Sequence, residues 1–115
     1  NHLSLIKRMY RLALAKFPFT EKKKSKKRPV LVLTTKTLGI FDVVIIAYIT
    51  SKKGEGVDSE VLIRKTPNNK LKHDSITKLH KLTNVLSSEV TDDFGEISLV
   101  EEKEIKTKLR KMLGL

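Results

Sequence analysis

Few side chains in this sequence of 115 residues could carry out chemistry. The absence of cysteine excludes disulfides, thiolate metal sites and a cysteine nucleophile. Only three histidines are present, His2, His73 and His80, so no zinc site and no cofactor are predicted. His80 lies on a half-polar segment, where its imidazole could act as a general acid or base near neutral pH or simply face solvent. His73 lies in a predicted loop and is interpreted as a surface residue.

Arg28 is the side chain best suited to bind a phosphate. It ends a run, Lys22 to Arg28, in which six of seven residues are basic, and Pro29 follows it. A guanidinium is always charged and can hold two phosphate oxygens at once. Because proline fixes the backbone where the loop becomes a strand, Pro29 would hold Arg28 at the mouth of the fold. Thr50, at the end of an apolar strand, could place a hydroxyl on the same phosphate. The plainer alternatives are a solvated arginine and a hydroxyl that caps the strand end.

Positive charge is concentrated at one end of the chain. The sequence has 24 Lys and Arg against 13 Asp and Glu, a formal net charge of +11. Residues 1–28 carry +9 of this, whereas Glu89–Glu104 contains seven acidic residues and one lysine. Such a basic face favours nucleic acid as the partner, with an acidic protein segment as the second candidate. With 5% aromatic residues and no tryptophan, base stacking is not expected to be the main binding device.

The length fits one domain with a modest core, since 39% of the residues are hydrophobic. No apolar run approaches the roughly 20 residues that span a membrane. No signal-peptide pattern is present either. We therefore expect a cytoplasmic protein.

Apolar runs and turn residues outline the elements that must position Arg28 and Thr50. Two β-branched runs, Pro29–Thr34 and Val43–Thr50, do not alternate, which predicts strands buried on both faces. Glu60–Arg64 is a third predicted strand, and Ser75–Val85 is one or two more. The segment from Leu3 to Phe17 fits either a helix or a strand.

The C-terminus carries the clearest helical pattern. Ser98 and Glu101 have capping-box spacing. The apolar stripe that follows is Ile105, Leu109, Met112 and Leu113. Glu102 with Lys106 and Glu104 with Lys108 are predicted i,i+4 ion pairs, and Gly114 can end the helix. Short strands followed by one packed helix predict a small bent β-sheet or barrel. The residues alone thus predict a basic, mainly β domain that binds nucleic acid, and they do not define an activity.

Four parts of the sequence resemble, in order, the signature motifs of the MazF/PemK family of toxin endoribonucleases. The opening motif is carried by Lys16–Thr20 and Lys26–Leu33, which read KFPFT and KKRPVLVL. Val44–Ser51 is similar to the second motif, an apolar strand that ends in Ile-Thr-Ser. Leu71–Ile76, with its Asp-Ser pair, and Gly95–Ser98 resemble the third and fourth. The likeness covers roughly residues 12–113.

The resemblance implies a toxin domain at residues 12–115, preceded by an N-terminal extension at residues 1–11. It implies the α+β class: a small SH3-like β-barrel with a C-terminal α-helix, usually a homodimer. It also implies metal-independent cleavage of single-stranded RNA, in which the 2′-hydroxyl of the RNA is the nucleophile and no serine or cysteine is required. The expected partner is a cognate antitoxin whose acidic segment occupies the RNA groove.

The resemblance also assigns roles to individual residues. In the family, the arginine of Arg-Pro-Val and the threonine of Ile-Thr-Ser act on the scissile phosphate, which makes Arg28 and Thr50 the predicted catalytic residues. Where the family usually has an acidic residue, this chain has His80, the third catalytic candidate. Lys78 comes two residues earlier and is predicted to share its strand face. The predicted RNA contacts are one serine and five lysines: Lys24, Lys26, Lys27, Ser51, Lys78 and Lys81.

Two departures from the family pattern support an alternative function. One is His80 itself, and the other is the lysine run Lys22–Lys27 in place of a Gly-rich loop. A non-catalytic module could keep the barrel and use the basic loop to bind RNA, DNA or a protein partner. Such a module would bind in a salt-sensitive way and release no product.

Overall fold

The computed structural model of the protein describes residues 10–16 and 27–115. This part of the chain contains six strands and one α-helix. The strands are β1 (Arg11–Ala15), β2 (Arg28–Leu38), β3 (Phe41–Thr50), β4 (Glu60–Ile63), β5 (Ser75–Leu86) and β6 (Thr91–Glu96). A 3₁₀ turn, Ser87–Glu89, joins β5 to β6, and helix α1 covers Leu99–Leu113. No helix among these residues is both long enough and apolar enough to cross a membrane.

All strand pairs are antiparallel, and the order across the sheet is β4-β5-β3-β2-β1-β6. The prediction of a mainly β fold with a terminal helix is therefore confirmed. Of the alternatives for the segment from Leu3 to Phe17, the strand is correct for Arg11–Ala15, and the rest of that segment lies largely outside the described residues. The segment Ser75–Val85 forms a single strand. Strand β6 was not predicted from the sequence, because its acidic residues hide the strand pattern.

Both faces of the central strands are buried, as the two apolar runs predicted. In β2, Leu31 and Leu33 belong to one hydrophobic cluster, whereas Val30 and Val32 belong to a second. Successive side chains of a strand point to opposite faces, so the two clusters lie on opposite sides of the sheet. Strand β3 divides in the same way, and α1 covers the first cluster with the fully buried Ile105. The sheet must bend for so short a chain to bury both of its faces.

The expected barrel is not closed by strand pairing in the described part of the chain. No ladder joins the edge strands β4 and β6 there. Instead, the loop after β4 reaches β6, where Asn69 forms an isolated bridge with Gly95. The Lys70 N–H donates to the Phe94 carbonyl at 2.9 Å, and the Glu96 N–H donates to the Asn68 carbonyl at 3.2 Å. The barrel prediction is corrected to an open sheet whose gap is bridged by a loop.

Helix α1 begins and ends as predicted. The Ser98 hydroxyl accepts from the Glu101 N–H at 3.1 Å, and the Ser98 N–H donates to the Glu101 carboxylate at 3.0 Å. The other Glu101 oxygen accepts from the Arg64 N–H at 2.9 Å, which fixes the helix to the end of β4. Both predicted i,i+4 ion pairs form at 3.1 Å, and Gly114 ends the helix with φ +75°. The apolar stripe is not buried along its whole length, because Met112 and Leu113 near the end of the helix are exposed.

We expect Gly95→Ala to destabilise the fold by about 2–5 kcal/mol. Gly95 has φ +114°, and an added Cβ would lie 2.2 Å from the Asn68 carbonyl oxygen. The substitution would therefore combine backbone strain of about 1–2 kcal/mol with overpacking of about 1–3 kcal/mol. Urea unfolding measures the loss.

Gly39→Ala is the matched control. Gly39 also has a positive φ, +64°, but an added Cβ would meet no atom within 4 Å. It should lose only the strain of about 1–2 kcal/mol. Equal losses at the two positions would contradict the close approach of the loop to Gly95.

Candidate functional site

One groove collects residues from four parts of the fold. It has a volume of about 660 Å³ and lies where β2 begins and β3 ends. The loop between β4 and β5 forms another side, and β6 contributes Phe94. The lining residues are Arg28, Pro29, Tyr48, Ile49, Thr50, Ser51, Lys52, Lys70, Leu71, Lys72, His73, Ser75 and Phe94. Arg28, Thr50 and Ser51 were predicted from the sequence, and the groove brings all three together.

Strand pairing sets the positions of Arg28 and Thr50. Val30 lies opposite Tyr48 in the β2–β3 ladder, so the same register extended by two residues places Arg28 across from Thr50. Val30 is fully buried and Pro29 is half-buried, whereas Arg28 is exposed. Strand β2 is thus anchored immediately after Arg28. The Arg28 side chain lies at the mouth of the groove, as the proline that follows it led us to predict.

The Thr50 hydroxyl is oriented by a turn. Its Oγ1 accepts a hydrogen bond from the Lys52 N–H at 3.1 Å, just after β3 ends. This is the strand-end contact that the sequence offered as the plainer alternative. It is compatible with a functional role, because a hydroxyl that accepts one hydrogen bond still has its own proton to donate. The same turn brings Ser51 and Lys52 to the groove wall.

The groove is strongly cationic. Arg28, Lys52, Lys70 and Lys72 line it, and none of its described lining residues is acidic. Lys70 and Lys72 flank Leu71, which is only 5% exposed. These lysines were not predicted from the sequence, because the denser basic run Lys22–Arg28 indicated the main source of phosphate contacts. The alternation of lysine with one buried leucine was the signal that could have found them.

The loop that carries these lysines is held by side-chain hydrogen bonds. Asn69 is 8% exposed, and its carboxamide oxygen accepts from the Thr66 N–H at 3.3 Å and the Leu71 N–H at 3.2 Å. Its amide group donates to the Arg64 carbonyl at 3.1 Å. Further along, the Asp74 carboxylate accepts from the Lys65 N–H at 2.8 Å. Both ends of the lysine segment are therefore fixed to the start of the same loop.

The two described histidines lie in different places. His73, interpreted from the sequence as a surface residue, is exposed and also lines the groove. His80 does not line it; its Nδ1 lies 2.6 Å from the Ser59 hydroxyl on the loop before β4. Of the two, the structure thus brings His73, and not His80, to Arg28 and Thr50.

The lysines that were predicted to contact RNA have different neighbours in the structure. Lys27 donates to the Thr91 hydroxyl at 3.1 Å, and the Lys81 ammonium lies 5.3 Å from the centre of the Tyr48 ring. Lys78 is 8% exposed, and its ammonium lies 3.4 Å from Glu55 and 3.7 Å from Glu60. Lys78 and the exposed His80 therefore do not share surroundings, as a common strand face would require. Two further predicted contacts lie outside the described residues: Lys24 and Lys26.

Glu60 organises the loop that follows the Thr50 turn. Its carboxylate accepts from the Glu55 N–H at 3.0 Å and the Gly56 N–H at 2.9 Å. These hydrogen bonds, the Glu55 one first, together with the Lys78 charge, hold the pKa of Glu60 below the ordinary value of 4.5, although burial opposes them. Gly54 lies so close that an added Cβ would be 2.6 Å from the carboxylate. The loop is thus folded around one ionised side chain.

Fold and groove together define a small antiparallel sheet with a cationic cleft at the strand ends, whose described lining residues include no carboxylate. The sequence model of the PemK-like, MazF-like toxins of type II toxin–antitoxin systems matches residues 10–113. The chain therefore belongs to this toxin family. The matched region begins next to β1, one residue ahead of Arg11.

Solved structures with the same fold share little sequence with this chain. The Mycobacterium tuberculosis toxin MazF-mt6 superposes with a TM-score of 0.70 at 20% identity, covering 91% of this chain and 97% of that one. An endoribonuclease in complex with its cognate antitoxin, from a mycobacterial species, has a TM-score of 0.67 at 15% identity and covers 93% and 94%. MazF from Deinococcus radiodurans has a TM-score of 0.65 at 18% identity and covers 93% and 96%. A comparison with curated protein sequences found no match.

We expect the contribution of Glu60 to stability to depend on pH. Because its folded pKa lies below 4.5, this contribution is complete above pH 4.5 and is lost as the pH falls through the folded value. Urea unfolding from pH 7 to pH 3 should show the wild type losing stability below pH 4.5, and Glu60→Gln should flatten this part of the curve.

Glu102→Gln is the control, because it removes a carboxylate paired with Lys106 on the helix surface, away from this loop. Its curve should keep the acid limb of the wild type. If Glu60→Gln also keeps that limb, the loop is not held by the ionised carboxylate.

Proposed function

We propose that this protein is the toxin of a type II toxin–antitoxin pair and a metal-independent endoribonuclease that cleaves single-stranded RNA. The observation that carries the proposal is the groove, which Arg28 and Thr50 line together with three lysines and with no carboxylate among the described lining residues. The names of the structural neighbours, endoribonucleases among them, support the same activity. Such a protein would act on RNA in the cytoplasm.

The proposed reaction uses a nucleophile supplied by the substrate. The RNA 2′-oxygen attacks the adjacent phosphorus as its proton leaves, and the bond from phosphorus to the 5′-oxygen breaks. The products are a 2′,3′-cyclic phosphate and a 5′-hydroxyl. The protein must stabilise negative charge on the phosphoryl oxygens in the transition state and assist proton transfer.

Arg28 and Thr50 are suited to the phosphoryl oxygens. The Arg28 guanidinium can donate two parallel hydrogen bonds to them and stays charged at any working pH. Thr50 can donate its hydroxyl proton, because its oxygen already accepts from the Lys52 N–H. Lys52, Lys70 and Lys72 add fixed positive charge around the same position. This charge supports cleavage without an added divalent cation.

The groove walls also favour an unpaired RNA strand. Tyr48 and Phe94 line the groove, and aromatic rings can stack on bases that are not paired. Lys81 lies over the Tyr48 ring, so this predicted RNA contact adjoins the groove through Tyr48. Ser51 offers a further hydroxyl at the wall.

The proposed antitoxin contact uses the same charges. An acidic segment would meet four cationic side chains in the groove and no acidic lining residue among those described. Its binding there would exclude RNA by direct competition. One structural neighbour was solved with its cognate antitoxin, which supports this type of partner. Association of two copies of the chain stays a prediction.

We expect Arg28→Ala to lower RNA cleavage by about 100- to 1,000-fold, the usual effect of removing one donor to a developing oxyanion. Arg28→Lys should cleave RNA faster than Arg28→Ala and more slowly than the wild type, because lysine keeps the charge and loses the bidentate contact. Thr50→Val keeps the shape of the side chain without its hydroxyl and should lower RNA cleavage by a comparable factor. The assay is cleavage of single-stranded RNA in EDTA, with mapped cut sites.

Arg110→Ala is the matched control, because Arg110 is exposed on α1 and does not line the groove. It should cleave as the wild type does. Loss of cleavage in EDTA, or unchanged cleavage by Arg28→Ala, would contradict the proposal. Tight binding of RNA with no product, and no growth arrest on expression, would instead support the non-catalytic binding module.

We expect the groove lysines to set the salt dependence of binding. Removing one lysine that neutralises a phosphate of a single strand should reduce the slope of log K against log salt by about 0.7. Lys72→Ala should show this change with a 2′-O-methylated RNA, which binds but cannot be cleaved. Lys111→Ala, at the far end of α1, should keep the wild-type slope. Equal slopes for both variants would place the RNA elsewhere.

A further inference from the structure

His73 is the histidine that shares the groove with the two predicted phosphate-binding residues. It lines the same cleft as Arg28 and Thr50. It is the one histidine among the described residues that line the groove, and histidine is the side-chain type that most often serves as a general acid or base. The sequence pattern did not indicate this role, since His73 lies in a loop, directly after Lys72 and before Asp74.

The backbone on both sides of His73 is fixed. The Ser75 hydroxyl donates to the His73 carbonyl at 2.9 Å, and Ser75 is only 4% exposed. On the same side, the Asp74 carboxylate accepts from the Lys65 N–H at 2.8 Å. On the other side, Leu71 packs into the first hydrophobic cluster. The imidazole therefore projects from a short segment held at both ends.

The His73 ring is free to meet a ligand. It is exposed, and no hydrogen bond joins either ring nitrogen to the described residues. The His80 ring differs, because its Nδ1 already lies 2.6 Å from the Ser59 hydroxyl and it does not line the groove. Of the two described histidines, only His73 combines an available ring with the cationic cleft.

We propose that His73 is the general base of this site, a role that rests on the proposed function. The neutral imidazole takes the proton from the RNA 2′-hydroxyl as the 2′-oxygen bonds to phosphorus. The bond to the 5′-oxygen breaks, and the leaving oxygen takes a proton from water. The imidazolium then returns its proton to solvent, so the cycle closes without an added reactant.

The charged side chains that line the groove with His73 come from several sides of it. Arg28 comes from the start of β2, Lys52 from the turn after β3, and Lys70 and Lys72 from its own loop. Asp74 is adjacent in the chain, and its carboxylate is held by the Lys65 N–H. Histidine is the side-chain type that ordinarily exchanges a proton near neutral pH, so a change of rate in that range is expected to follow an imidazole.

The test is the pH profile of kcat/KM for RNA cleavage between pH 5 and 9, compared among the wild type, His73→Gln and His80→Gln. The wild-type rate should rise with pH and then level off, because only the neutral imidazole accepts a proton. His73→Gln should lose about 100- to 10,000-fold and the rising limb with it. His80→Gln should keep the limb.

Two further measurements separate a chemical role from a structural one. His73→Gln should bind 2′-O-methylated RNA as the wild type does, so the loss falls on kcat. Added imidazole should partly restore cleavage by His73→Gly, whereas it should not restore Arg28→Ala. A variant that unfolds or loses binding would fail the first measurement and overturn the assignment.

The outcomes distinguish this inference from the proposed function. If Arg28→Ala is inactive while His73→Gln keeps the wild-type profile, the protein is a nuclease and His73 is not its base. If His80→Gln removes the rising limb and His73→Gln does not, the base is the histidine that the family resemblance indicated. If the wild type cleaves no RNA, both proposals fall together.

Discussion

The site depends on the register between β2 and β3. Near their turn, Leu38 lies opposite Phe41, and a bulge between Val32 and Thr34 then shifts the pairing by one residue. Continued past the bulge, the pairing places Arg28 across from Thr50. Without the bulge, Ser51 would lie opposite Arg28 instead. Because a shift by one residue turns every side chain to the other face, this one irregularity aligns the guanidinium with the threonine hydroxyl.

Charge separation within the fold supports this arrangement. The cationic groove needs its lysines free of carboxylates, yet the loop after Thr50 is organised around the carboxylate of Glu60. The structure eases this conflict because Lys78, which does not line the groove, lies 3.7 Å from Glu60 and 3.4 Å from Glu55 and offsets part of their negative charge. A lysine predicted to contact RNA therefore serves as the counter-ion that lets an acidic residue shape one wall. The groove keeps its charge because its acidic neighbours have partners elsewhere.

Sequence patterns predicted the elements whose burial is simple. The β-branched runs at β2 and β3, and the capping residues Ser98 and Gly114, follow from local physics and form as expected. Strand β6 was missed because its pairing with β1 outweighs a composition rich in acidic residues. Lys70, Lys72 and His73 were missed for a related reason. The alternation of lysine with leucine shows that Lys70 and Lys72 share a side of their segment, but not what they lie beside. Their place in the groove depends on the bridge between Asn69 and Gly95, a contact between distant parts of the chain.

A second irregularity explains why Lys78 and His80 do not share one face of β5, although the sequence predicted that they would. On β3, Ala47 pairs with Leu82 and the next residue, Tyr48, pairs with Lys78, so three β5 residues between them have no partner on that strand. His80 lies in this bulge, where the Leu79 N–H instead donates to the Ser59 carbonyl at 2.8 Å. The alternation that would give residues 78 and 80 one face requires an unbroken ladder. One bulge thus brings Arg28 to the groove, and the other carries His80 to the loop before β4. Departures from regular pairing thus decide that Arg28 lies across from Thr50 and that His80 lies away from it.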